Sequence, residues 1–260
     1  LLAHARSVVR LRSYIQPSAQ IGATLNLTPV SVTEESDVAQ EGAERADILY
    51  KRWFLDPLFR GSYPEGLFRD LAVHPPAIED TDMALISTPL DFLGINYYSR
   101  TLIRSRRRAG AGASVPETYE QVVPVPGATY TEMAWEIYPQ GLRDVLLRVQ
   151  RDYAPRLLMV TENGAAFDDQ WDGRNHVPDK RRVQYLREHI QELEGVFLHE
   201  VPLCGYFVWS FLDNYEWIDG YSKRFGLVYV DYITQRRVVK QSGRWYAAFI
   251  AAQQAVRRTE

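Results

Sequence analysis

The chain has 260 residues, 46% hydrophobic and 24% charged, which suits a globular domain with a sizeable core. Its 30 basic and 33 acidic residues leave a formal charge of −3, so nothing draws it generally to nucleic acid or to an anionic membrane. The single cysteine, Cys204, excludes an internal disulfide, and in its apolar stretch it is expected as a small core residue of a cytoplasmic, reducing compartment.

Leu1–Ser13 reads as an amphipathic helix that opens partway along itself without an initiator Met, as if sequence were missing upstream; it is neither a membrane span nor a secretory signal. Gln20–Val30 alternates apolar residues as a strand does. Ser31–Glu34 has capping-box spacing and is expected to start a helix through Val38, Gly42, Ala46, Leu49 and Trp53. The Pro- and Gly-rich stretch from Asp56 reads as a loop, and Leu90–Arg100 as the next strand. Residues 104–128 read as a low-order stretch, with the basic run at 104–108 a solvated loop and not a nucleic-acid patch.

A helix is expected from about Pro139, then a short apolar strand, Leu157–Val160, which runs into Thr161, Glu162, Asn163 and Gly164. The following helix lines up Val183, Leu186, Ile190 and Leu193. Leu203–Trp217 is read as the fourth strand, and a last helix spans Gly243–Val256. Strands alternating with helices argue for an α/β fold with a parallel sheet, and no linker divides residues 1–260 into separate domains. His189 and His199 read as structural, Asp168 and Asp169 as turn residues, and no cluster has metal-ligand spacing.

If the βα units belong to a barrel, its active face lies at the C-terminal ends of the strands. Polar residues collect there: Asn96, Tyr97 and Tyr98; Glu162 and Asn163; Trp209, Ser210, Asp213 and Asn214, then Glu216 and Trp217. Carboxylates and amides bind hydroxyls, and aromatic rings stack on the apolar face of a sugar. The stretches VTENGAAFDD, FLGINYYSR and GYFVWSFLDNYEWIDGYSKRFGLVYVDY resemble, in order, the C-terminal half of glycoside hydrolase family 1, the β-glucosidase and β-galactosidase family.

The resemblance implies the second half of a (β/α)8 TIM barrel, four βα units, acting on a small-molecule β-glycoside with retention and without a cofactor. It implies that Glu162 is the nucleophile and that Tyr98 and Asn96 lie beside it. It places Trp209 on the floor of the glycone site, Glu216 and Trp217 on glycone hydroxyls, and Trp135 at the aglycone. The family's general acid/base is the Glu of an N-E-P motif, which does not occur in this sequence, so weak or no activity is expected of the chain alone. Glu200 stands where the family usually has Gly. Half a barrel exposes two strand edges, so self-association, or pairing with an N-terminal half-barrel, is expected. The rival readings are a sugar-binding half-barrel without turnover and a structural fragment.

Overall fold

The computed structural model describes residues 1–70, 74, 76–106 and 118–257. In chain order the elements are α1 (Leu2–Arg12), β1 (Gly22–Asn26), β2 (Val30–Val32), α2 (Asp37–Asp47), a π-helical turn (Ile48–Arg52), α3 (Trp53–Arg60), α4 (Leu67–Asp70) and α5 (Asp80–Ile86). Then come β3 (Phe92–Tyr97), β4 (Thr101–Arg106), β5 (Thr118–Gln121), α6 (Gln140–Tyr153), β6 (Leu158–Asn163) and α7 (Lys180–Phe197). The last are β7 (Leu203–Val208), β8 (Val228–Val230), β9 (Arg237–Val239) and α8 (Gln241–Arg257).

The main sheet has the order β1-β3-β6-β7, and every neighbouring pair is parallel. Successive strands are neighbours, each joined to the next through helix, which is half of a (β/α)8 barrel. One face of the sheet carries Leu93, Ile95, Tyr97, Leu158 and Val160, all fully buried against Leu142, Val145, Leu146 and Val149 of α6 and Leu193 and Val196 of α7. The other face is the barrel interior, with Thr24 and Asn26 exposed and Phe207 56% exposed. At β1, the Ile21 carbonyl accepts from Asp91 and the Leu27 amide donates to Asn96. Backbone groups alternate sides along a strand, so the amides of Gly22, Thr24 and Asn26 face the open edge.

Five expectations are corrected. The expected strand Gln20–Val30 breaks after Asn26, and Ser31 lies in β2, paired with β4; the α2 cap is Ser36, whose hydroxyl accepts from the Ala39 amide. The stretch from Asp56 is helical up to Arg60 despite Pro57, because Leu55 and Leu58 are buried on one side of α3. Part of the low-order stretch forms an antiparallel pair, β4–β5, in which Arg104 and Arg106 both bind Glu120; residues 107–117 lie outside the described residues. The fourth strand stops at Val208, well short of Trp217. Cys204 is exposed, since β7 is a sheet edge.

The buried stripe of α7 is also rotated from the expected one: it comprises Arg182, Tyr185, Leu186, His189, Leu193 and Val196. Arg182 is tolerated inside because Asp169 and Asp179 neutralise it, at 2.8 and 2.6 Å. Asp169 is therefore an interior ion-pair partner and no turn residue on the surface. The reading of Glu200 as a departure has a backbone counterpart. Its φ is +54°, in the left-handed region that glycine occupies without cost.

His189 is structural, as its helical placement suggested. Its Nδ1 sits 2.8 Å from the Tyr185 carbonyl, its ring stacks on Tyr185, and Nε2 is buried without a partner. Burial lowers its pKa from 6.5 to about 4. The unfolded chain thus binds the proton more readily, so this contribution to stability is present above about pH 6.5 and is lost as pH falls through about 4. The loss should be on the order of 3 kcal/mol. Urea titrations between pH 7 and pH 4 should show that slope, and His189→Phe should flatten it.

Candidate active site

Strand β6 carries an extra residue on both sides. Against β3, Ile95 pairs with Val160 but Asn96 pairs with Glu162, and against β7, Val160 pairs with Tyr206 but Asn163 with Val208. The bulge breaks the alternation at Thr161 and Glu162. Thr161 faces the barrel interior, where its hydroxyl donates to Asn96 Oδ1 at 2.7 Å. Glu162 faces the interior too, where its Oε2 accepts from the Tyr98 hydroxyl at 2.5 Å.

Asn163 is turned the other way and fully buried. Its amide donates to the Tyr97 carbonyl and the Tyr185 hydroxyl, and its Oδ1 accepts from Tyr206 at 2.7 Å. This residue therefore locks the strand end to β3, α7 and β7, and it does not belong to the polar rim expected from sequence.

Tyr98 is held from two sides. Its ring lies 5.2 Å from Trp135 and 6.3 Å from Phe225. Burial first, then the bond to Glu162, raises the Tyr98 pKa far above the ordinary phenol value, so the hydroxyl remains a donor. The loop bearing Trp135 is tied to the end of β3: Arg100 grips the buried Glu136 with two bonds of 2.9 Å, and Ser99 donates to the Glu136 carbonyl. Beside Trp135 and Tyr98 opens a cleft of about 270 Å³, lined also by Asn26, Thr28, Gln121 and Tyr130.

On the other flank, Trp209 Nε1 donates to Glu216 Oε1 at 3.2 Å. Burial raises the Glu216 pKa, and the charge of Glu162 adds to the rise, against the lowering by bonds from Trp209 and Asn214. Glu162, bonded to Tyr98, thus lies close enough to act electrostatically on Glu216, which is bonded to Trp209. Trp217 does not join them; it stands 83% exposed with φ +47°. Asp213, also expected on the rim, is buried behind the site in ion pairs with Lys240 and Arg224. Phe225, Thr161 and the Arg100–Glu136 pair were not singled out from sequence. Thr161, Arg100 and Phe225 lie inside the recognised motifs, and Glu136 directly follows Trp135.

Together these residues form a carboxylate aimed by a strand, a phenol donor upon it, a second carboxylate bridged to an indole, and aromatic walls. That set is suited to gripping a polyhydroxylated ring and presenting an oxygen nucleophile to it.

The family model described as glycosyl hydrolase family 1 matches residues 1–255. The chain is 42% identical over 254 residues to β-glucosidase A of Thermotoga maritima, covering 95% of this chain and 54% of that protein. It is 40% identical over 255 residues to a 1,4-β-D-glucan glucohydrolase of Thermotoga neapolitana, covering 96% and 54%. The crystal structure of the family 1 β-glucosidase from Exiguobacterium antarcticum superposes with a TM-score of 0.87 at 37% identity, over 98% of this chain and 56% of that one. The T. maritima β-glucosidase in complex with glucoimidazole gives 0.86 at 38% identity, over 96% and 54%. The chain spans about half the length of these relatives.

Gly164 allows the site to close on itself. A Cβ there would lie 1.8 Å from the Trp209 carbonyl oxygen, so Gly164→Ala must push β6 and the Trp209 loop apart. The expected cost is roughly 1–3 kcal/mol in a denaturant titration, with a shift in the tryptophan emission of the folded protein.

Proposed function

The chain belongs to glycosyl hydrolase family 1, and from that membership we propose that it is a β-glucosidase-type half-barrel working by the retaining mechanism, with Glu162 as nucleophile. The observation that carries this reading is the Tyr98–Glu162 bond at 2.5 Å on a strand whose bulge turns Glu162 into the barrel mouth. The carboxylate attacks the anomeric carbon through an oxocarbenium-like transition state, and water then releases the sugar from the glycosyl-enzyme. Tyr98 orients Glu162 by its hydrogen bond. Asn96, Trp209 and Glu216 hold the glycone, and Trp135 meets the aglycone. No cofactor takes part.

A retaining enzyme also uses a second carboxyl group about 5 Å away as acid and then base. No N-E-P motif occurs in these 260 residues, so this chain tested by itself lacks that assistance, at a cost of about 10²–10⁴ in rate. The lack of that second carboxyl group in these residues favours the second reading, a half-barrel that holds sugar without turnover. An activated leaving group separates the two, since it needs no proton. The chain should release dinitrophenolate from 2,4-dinitrophenyl β-glucoside, faster with azide, and Glu162→Gln should abolish the release. Equal rates in both proteins would remove Glu162 from the role, and no release from either would favour the second reading.

The free edges of β1 and β7 carry a proposal about partners. Strands along a two-fold axis stay parallel under the rotation, so a second copy sets its β7 beside β1 and its β1 beside β7, giving eight parallel strands. Light scattering should give twice the 30.0 kDa chain mass. Thr24→Pro, which removes an edge amide without touching the β3 ladder, should return the protein to one chain; a wild-type monomer would end the proposal. The exposed lone thiol of Cys204 suits the cytoplasm.

A further inference from the structure

Behind the site lies a buried set of charges that the proposed chemistry does not use. The Lys240 side chain is fully buried, and its Nζ donates to Asp169 Oδ2 at 2.5 Å and to Asp213 Oδ1 at 2.7 Å. Arg182 binds Asp169 and Asp179, and Arg224 binds Asp213 at 2.7 Å. Three carboxylates face three cations, so the set is neutral as a whole.

The positions of these residues in the chain matter more than their charge. Asp169 ends the segment that follows Glu162 out of β6, and Asp213 is the midpoint of the loop from Trp209 to Glu216. Lys240, at the start of α8, bridges the two segments. The Asp213 carboxylate is saturated: besides Lys240 and Arg224 it accepts from the amides of Gly226 at 2.9 Å and Val230 at 3.3 Å. With Asp213 held by four donors, Asn214 folds back on Ser210 and Leu212, and Glu216 is delivered to the Trp209 indole.

We propose that Lys240 is a positioning residue: through Asp213 and Asp169 it fixes where Glu216 and Trp209 stand relative to Glu162. The inference deepens the sugar-site reading, and its test includes a readout that requires no sugar.

Lys240→Met alone leaves three buried carboxylates to two cations, one uncompensated negative charge, and destabilises the fold. The informative variant is Lys240→Met with Asp169→Asn, which removes one charge of each sign and leaves Arg182 to Asp179 and Arg224 to Asp213. The readout is the ¹H–¹⁵N cross-peak of the Trp209 indole, assigned by its absence in Trp209→Phe, with Glu216→Ala, which has no acceptor left, marking the broken contact. The double variant should keep the far-ultraviolet circular dichroism of the wild type. Its Trp209 peak should move toward the Glu216→Ala position, and its affinity for deoxynojirimycin by calorimetry should fall about tenfold. A folded double variant with an unmoved Trp209 peak overturns the proposal. Should the double variant not fold, Lys240→Gln, which keeps a donor without the charge, is judged by the same peak. If the wild type does not bind deoxynojirimycin, the sugar-site reading fails, while the peak still decides the role of Lys240.

Discussion

The arrangement depends on one extra residue in β6. A strand buried on both faces sends alternate side chains to the helices and to the barrel interior. Without the bulge at Thr161 and Glu162, Glu162 would point toward α6 and α7, where an unpaired carboxylate is costly, and Asn163 would point into the mouth. With it, Asn163 spends its hydrogen bonds on Tyr97, Tyr185 and Tyr206, and the carboxylate meets Tyr98. The strand is rigid because its polar end is satisfied, and a rigid support holds a reactive group more narrowly than a loop does.

Around that strand the site is assembled from two flanks fixed by different means. The Trp135 flank is held at short range, by the Arg100–Glu136 grip and by ring contacts among Trp135, Tyr98 and Phe225. The Glu216 flank hangs on a loop whose anchor, Asp213, lies inside the protein. One flank is therefore governed by packing and the other by buried charge. Trp217, beyond the anchored part of its loop, has neither support and points to solvent.

Much of this was legible from sequence because local patterning and tertiary demand agreed. The four main strands and their helices follow from apolar runs and helical spacing, and the recognised motifs located Glu162, Tyr98, Trp209 and Glu216. Sequence reasoning failed where a long-range partner decided the outcome. Periodicity favoured Val183 and Ile190 as the inner face of α7, but Asp169, in the segment before the helix, together with Asp179 at the N-cap of α7, allows Arg182 inside. Asp169 and Asp213 look like surface acids until Lys240, far along the chain, is brought between them. Ser31 to Glu34 matches a helix start by spacing, yet β4 claims Ser31 as a strand residue first. The apolar neighbours of Cys204 suggested burial, and nothing local showed that its strand would be an edge.

The interior ion cluster also bears on behaviour with temperature. Removing charges from water becomes less costly on warming, whereas apolar burial gains little further per unit of area. The scaffold behind Glu216 therefore retains its strength on heating better than the aliphatic layer between the sheet and α6. As the protein warms, the helix layer should loosen first, while the two loops joined through Lys240 still keep their spacing.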